Sequence, residues 1–170
     1  GKNNITYIDE GGSYFRLKAF YTDVACQSDN WGEFAITERC QTCDACVKGC
    51  PTGAILGERF LIRAERCLTY LNEGTKEFPG WVNPTWHNCL IGCMLCQDIC
   101  PLNKRFVGWI VDETAFSEDE TAKIIEGAPK VDLPFETAEK LRSIDMLDEY
   151  ALLGRNLRAV LGADVERGEE

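Results

Sequence analysis

Four cysteines and a proline between residues 40 and 51 follow the order C-x2-C-x2-C-x3-C-P. This spacing is typical of bacterial ferredoxins, in which the first three thiolates bind one 4Fe–4S cluster and the fourth binds another cluster. The run therefore predicts that the chain supplies further ligands elsewhere. A second run, Cys93-Met-Leu-Cys96-Gln-Asp-Ile-Cys100-Pro101, meets that requirement. Two such runs in one chain indicate two clusters.

Zinc and disulfide bonds are the alternatives for so many cysteines. Zinc sites usually pair two C-x2-C knuckles and lack the trailing x3-Cys-Pro that ends both runs. Ten cysteines in a secreted chain would suggest disulfides, but closely spaced C-x2-C pairs favour metal binding in a reducing compartment. Iron–sulfur clusters are therefore the preferred interpretation, and the expected location is the cytoplasm.

The two runs are expected to exchange their last cysteines, as in two-cluster ferredoxins. A symmetric second run would need a cysteine at position 90, but that residue is Leu90, so the missing ligand is Cys67 or Cys89. Spacing favours Cys67 without excluding Cys89, which is one residue out of step. The predicted ligands are Cys40, Cys43, Cys46 and Cys100 for the first cluster, and Cys50, Cys67, Cys93 and Cys96 for the second.

Two other residues that could bind metal have ordinary interpretations. Cys26 lies in a polar loop and is expected to be a simple thiol. His87 is the only histidine, and we expect it to be a partly exposed helix residue rather than a ligand or a proton donor. No residue of the chain is predicted to be catalytic.

Charge and hydropathy limit the kinds of partner. The 170 residues carry a formal net charge of −10, which argues against nucleic acid held by phosphate contacts alone. No apolar run approaches the ~18 residues that would suggest a membrane span. We therefore expect no membrane association, and the charge gives no support to a tRNA partner.

Apolar periodicity predicts an α+β fold in three parts. Apolar residues alternate within residues 4–22, around a Gly-Gly turn, which indicates a β-hairpin. Ser117-Glu-Asp-Glu120 is a capping box that should open a helix, Pro134 should start another, and residues 147–161 should form a third. The predicted parts are a hairpin (1–30), a ferredoxin-like two-cluster domain (31–110) and a small C-terminal helical segment (111–170).

Several short segments resemble the second half of the epoxyqueuosine reductase family. The cysteine runs are shared with many ferredoxin-like proteins, whereas the Gly-Lys-Asn opening and the Arg-Cys segment are more specific. Corrinoid reductive dehalogenases are similar in architecture. Besides the cysteine runs, the resemblance is carried by Gly1-Lys2-Asn3, Gly12-Ser13-Tyr14-Phe15, Tyr21-Thr22-Asp23, Thr52-Gly53-Ala54-Ile55, Arg66-Cys67-Leu68-Thr69-Tyr70, Leu102-Asn103-Lys104 and Arg155-Asn156.

This resemblance implies that Cys67, rather than Cys89, completes the second cluster. It also implies a cobalamin cofactor in a preceding domain, of which residues 1–30 would be a remnant, and a modified tRNA base as substrate. The clusters would receive electrons from a protein such as a ferredoxin or flavodoxin and pass them to cobalt. The chain is then expected to be a fragment of an oxidoreductase that transfers electrons and is not catalytically complete alone.

Two other functions are compatible with the same motifs. One is a freestanding dicluster ferredoxin-type electron carrier, which would be a complete native chain of about this length. The other is the iron–sulfur module of an enzyme similar to the corrinoid reductive dehalogenases. All three interpretations share the two clusters and differ in what surrounds them.

Overall fold

The computed structural model describes residues 1–15, 17–28, 32, 36–58, 60–110 and 114–168, with the backbone alone for residues 163–168. No helix in these ranges has the length and apolar character needed to cross a membrane. Short 3-10 turns lie at Ala64–Arg66, Pro84–Trp86, Pro101–Asn103 and Lys130–Asp132. The α-helices of the described residues are α1 (Glu38–Gln41), α2 (Ala45–Gly49), α3 (Leu68–Glu73), α4 (Leu95–Asp98), α5 (Glu118–Glu126), α6 (Phe135–Ser143) and α7 (Tyr150–Gly168).

The predicted α+β class with an N-terminal hairpin is wrong. Across the described ranges there is no strand, and strand-type pairing is limited to one isolated antiparallel bridge between Ile8 and Gly12. Alternating apolar residues specify a strand only when a partner strand and a covering face are present. No described segment covers this stretch, so Leu17 and Tyr21 are 77% and 107% exposed. Arg16, within the predicted hairpin, lies outside the described residues.

The principal hydrophobic core lies among the C-terminal helices. Its buried members are Ile124, Leu141, Tyr150 and Leu153, and Ile91 from the cysteine region packs against them. The start of α5 is confirmed, because the Ser117 side chain accepts from the amide of Glu120 while the Glu120 carboxylate accepts from that of Ser117. Helix α6 begins directly after Pro134, as predicted. Helix α7 extends seven residues beyond the predicted end, 168 against 161.

Helix α7 also fastens the core to the cysteine region through buried polar contacts. The Asn156 amide donates to the carbonyl oxygens of Asn72 (3.0 Å) and Leu90 (2.6 Å). The Arg155 guanidinium donates to the carbonyl oxygens of Leu71 (3.1 Å) and Asn72 (2.9 Å). The bonds to Leu71 and Asn72 supply partners for carbonyl groups at the end of α3, which lack partners within the helix. The predicted boundaries near residues 30 and 110 adjoin residues outside the described ranges, so the division into domains stays a prediction.

A buried asparagine holds the N-terminal turn against the end of the second cysteine run. Asn103 is fully buried, accepts from the amide of Ser13 (3.0 Å) and donates to the Ser13 hydroxyl (2.7 Å). Gly12 approaches it with φ of 60°, and a Cβ at this position would lie 2.3 Å from Asn103 Oδ1 and 2.8 Å from the Phe106 ring. Both the backbone angle and the space therefore require glycine.

We expect Gly12→Ala to destabilise the protein more than Gly127→Ala does. Gly127 has a similar φ of 72°, but a Cβ there would meet nothing within 4 Å. Gly127→Ala therefore reports the conformational cost alone, about 1–2 kcal/mol, whereas Gly12→Ala must also displace Asn103. Free energies of unfolding from chemical denaturation measure both variants. Equal losses would contradict the close contact between Gly12 and Asn103.

Candidate metal centres

Two short helices position the central cysteines of both runs. Helix α2 carries Cys46 and helix α4 carries Cys96, and the two helices pack against each other. Their approach is close, because a Cβ on Gly49 would lie 3.0 Å from the Ile99 side chain. After each helix the backbone becomes extended at the last cysteine, with φ and ψ of −82° and 108° at Cys50 and −69° and 125° at Cys100. A proline follows in both cases, so each run leaves its helix in the same way.

The four cysteines predicted for the second cluster line one cavity of about 430 Å³. We call them the second thiol set: Cys50, Cys67, Cys93 and Cys96. The 3-10 turn before Cys67 is tied to the first run, because Arg66 Nε donates to the carbonyl oxygen of Thr52 at 2.7 Å. Cys89 is not among the residues that line this cavity.

Charge interactions connect three of the four cysteines predicted for the first cluster. We call that group the first thiol set: Cys40, Cys43, Cys46 and Cys100. Burial, followed by the neighbouring charges of Cys40 and Cys100, raises the pKa of the Cys46 thiol. At Cys40 burial acts in the same direction, but the Thr37 hydroxyl bond and then Lys2 outweigh it and lower the pKa. Cys43 lies between them in the same run, and its carbonyl oxygen accepts from Lys2 at 3.1 Å.

Two thiols of the second set, Cys93 and Cys96, are costly to ionise on their own. Burial raises the pKa of Cys96 to about 12, and the charges of Cys93, Cys46 and Cys67 act in the same direction. Burial also raises the pKa of Cys93, with added repulsion from Cys67 and Cys50. Thiolates at Cys93 and Cys96 would be stabilised by a positively charged core beside them, which an iron–sulfur cluster would supply. The donor set and the cavity fit such a group.

The thiols of the described residues do not form a site for a single metal ion. Four sulfurs around a single zinc would be about 3.8 Å apart, because each bond is about 2.3 Å long. Within the described ranges no three Cys, His, Asp or Glu side chains converge closely enough to hold one metal ion. All ten cysteines are free thiols. The assignment of individual ligands stays a prediction.

Four side chains that the sequence did not single out donate to, or lie within hydrogen-bond distance of, the cysteine sulfurs. Each belongs to a segment whose approach to the cysteines depends on the fold, although Thr52 and Asn3 stand in segments already noted for their resemblance. These contacts are Asn3 Nδ2 to Cys96 Sγ (3.6 Å), Thr37 Oγ1 to Cys40 Sγ (3.1 Å), Thr52 Oγ1 to Cys50 Sγ (3.4 Å) and Asn88 Nδ2 to Cys93 Sγ (3.5 Å). Hydrogen bonds to cluster sulfurs shift reduction potentials.

Lys2 places a positive charge beside the first thiol set. Its ammonium group pairs with Asp44 at 2.7 Å, and this bond raises the pKa of Lys2. The charges of Cys40 and Cys46 act in the same direction. A cation at this position favours added negative charge on the group that these thiolates hold.

His87, Cys89 and Cys26 do not line the cavity of the second thiol set. His87 is 4% exposed and packs at 4.5 Å against the Phe78 ring, and burial, then Arg155, lowers its pKa. The expectation of a partly exposed helix residue is therefore wrong, because the helical turn ends at Trp86 and the following segment turns inward. The Cys89 thiol donates to Asn88 Oδ1 at 3.0 Å, and Cys26 is exposed.

Comparison with known proteins defines the class of site. Residues 39–103 match the family model described as a 4Fe-4S double cluster binding domain. This region includes every cysteine of both thiol sets. Residues 39–103 are thus similar to an iron–sulfur domain of the double-cluster class. No solved structure matches the chain.

The curated relatives are similar over the same region. Epoxyqueuosine reductase from Cyclobacterium marinum is 36% identical over 105 residues, covering 61% of this chain and 33% of the relative. Epoxyqueuosine reductase from Escherichia coli K12 is 31% identical over 144 residues, covering 75% of this chain and 37% of the relative. The chain spans about a third of the length of these relatives. The similarity confirms the resemblance seen in the sequence.

We expect Lys2→Gln to make the reduction potential of the first cluster more negative. Removal of the ammonium group takes positive charge from beside Cys40 and Cys46, so the added electron is less stabilised. The potential of the second cluster should change less. A redox titration followed by EPR of the reduced protein measures both. Lys123→Gln makes the same charge change on α5, and an equal effect from it would show that net charge, not position, is responsible.

Proposed function

We propose that this chain transfers electrons through two adjacent 4Fe–4S clusters, one held by each thiol set. The observation that carries the proposal is the cavity lined by Cys50, Cys67, Cys93 and Cys96, with ligands from both cysteine runs and from the segment between them. When bound, each cluster accepts and releases one electron at a time. The match to a double cluster binding domain supports the same conclusion.

The contact between the helices that carry the two thiol sets supports electron transfer between the proposed clusters. Cys46 of the first set contributes to the electrostatics of Cys96 in the second. The helices that carry these two residues pack directly on each other. Apolar side chains, among them Ile55 and Leu68, line the cavity of the second thiol set and are almost fully buried. These residues hold water away from the sulfurs, which lowers reduction potentials and protects the reduced state.

We propose further that the whole protein is a cobalamin-dependent reductase resembling epoxyqueuosine reductase. The similarity to those enzymes covers the iron–sulfur region. In this proposal cobalamin belongs to a preceding domain, and the residues described here supply electrons from a cytoplasmic donor such as a ferredoxin or flavodoxin. The substrate would be a modified base of tRNA, bound mainly by parts of the protein other than this acidic chain.

Metal analysis of anaerobically purified protein tests the two clusters directly. Two 4Fe–4S clusters require about eight iron and about eight acid-labile sulfide per chain. EPR of the reduced protein should show two interacting paramagnetic centres. About four iron per chain would contradict the assignment of two thiol sets, and stoichiometric zinc without sulfide would overturn the proposal.

We expect Cys67→Ala to lose the second cluster, whereas Cys89→Ala keeps both. Cys67 lines the cavity with the other three thiols of its set, and Cys89 does not. Iron content should fall by about half in the first variant and stay unchanged in the second. Because both substitutions remove one thiol, each is the control of the other. The reverse pattern would show that Cys89 is the ligand.

A further inference from the structure

Cys89 is left over by the cluster assignment, yet its thiol is engaged in a defined polar contact. The Cys89 Sγ donates to Asn88 Oδ1 at 3.0 Å. The amide nitrogen of Asn88 donates in turn to the carbonyl oxygen of Trp86 at 3.0 Å and to Cys93 Sγ at 3.5 Å. A chain of hydrogen bonds therefore runs from the spare thiol to a sulfur of the second thiol set.

The partners of Asn88 determine which way its amide faces. The Trp86 carbonyl is an acceptor only, and a cluster-bound Cys93 thiolate is also an acceptor only. Both must meet the NH₂ group of Asn88. The amide oxygen is then directed at Cys89, the one partner of the three that can donate. A flipped amide would set its oxygen against two acceptors and lose the bond from Cys89.

The backbone around this chain of bonds is fixed from outside. The Asn72 amide donates to the carbonyl oxygens of Gly92 (2.5 Å) and Cys89 (3.5 Å). The Asn156 amide of α7 donates to the carbonyl oxygen of Leu90 at 2.6 Å. Both asparagines are buried. Hydrogen bonds to three carbonyl groups therefore fix the position of the segment between Asn88 and Cys93.

We propose that Asn88 raises the reduction potential of the second cluster by hydrogen bonding to Cys93, and that Cys89 is the positioning residue that locks the Asn88 amide. This inference rests on the proposed function. An N–H donor stabilises the sulfur more in the reduced cluster, where the sulfur carries more negative charge. The first cluster has a different donor, the Thr37 hydroxyl on Cys40, so an effect of Asn88 should be confined to the second.

Four variants of the holoprotein test the proposal: Asn88→Ala, Cys89→Ala, Cys89→Ser and Asn83→Ala. Asn88→Ala removes the amide that donates to Cys93. Cys89→Ala removes the thiol that donates to the Asn88 amide oxygen. Cys89→Ser keeps a hydroxyl that can donate to the amide oxygen, so it should restore most of the effect. Asn83→Ala is the matched control, because Asn83 caps the preceding 3-10 turn through Thr85 and touches no cysteine sulfur.

The readouts are iron content and the reduction potential of each cluster from EPR-monitored titration. We expect full iron in all four variants. The equilibrium constant for reducing the second cluster should fall about threefold to tenfold in Asn88→Ala, where tenfold corresponds to about 59 mV. Cys89→Ala should show a smaller fall, Cys89→Ser and Asn83→Ala little change, and the first cluster no change.

The outcomes separate this inference from the function on which it rests. Full iron with an unchanged second potential in Asn88→Ala would overturn the role of Asn88 and leave the two clusters intact. A fall in Cys89→Ala that Cys89→Ser does not reverse would overturn the positioning role of Cys89. Wild-type protein that binds no clusters would instead overturn the proposed function.

Discussion

The burial of two groups of thiols next to each other is the constraint on which this structure depends. Thiolates at such positions repel one another and lose their hydration, as the raised pKa of Cys96 shows. The buried apolar side chains of the cysteine region lie outside the principal core cluster; they are Ala54, Ile55, Leu68, Val82 and Phe106. In the proposed assignment a positively charged iron–sulfur core would relieve the repulsion and connect both runs, and the free energy of its binding would contribute to folding in this region.

The C-terminal helices also support the cysteine region through hydrogen bonds. They contain the principal apolar core, and through Asn156 and Arg155 they donate to carbonyl groups at the end of α3 and to Leu90, which lies between Cys89 and Cys93. The cysteine region, whose buried residues lie outside that core cluster, gains rigidity from these contacts. Rigid support matters at such a site, because small displacements of a ligand or donor change its interaction with the metal group.

The parts of the structure that depend on local residues were predictable from the sequence. Cysteine spacing and the capping box of Ser117 act within a few residues, and so the double-cluster domain and the start of α5 were found. The strand predicted within residues 4–22 failed because alternation cannot indicate whether a partner strand exists. The donor Asn3 is 93 residues from Cys96 in the chain, and no spacing rule connects two such residues. His87 was misjudged for the same reason, since its burial depends on contacts with Phe78 and α7.

The two thiol sets also differ in the kind of polar group that meets them. Lys2 approaches the first set from a position where its charge is shared with the half-exposed Asp44. The second set lines a partly open, largely apolar cavity, and the polar groups that meet it are neutral: the amides of Asn3 and Asn88 and the hydroxyl of Thr52. A cation in that cavity would lose hydration that its partners could not fully replace, whereas an amide loses far less. Neutral donors can therefore stabilise the reduced form of a cluster at this site without placing an unpaired charge in the interior.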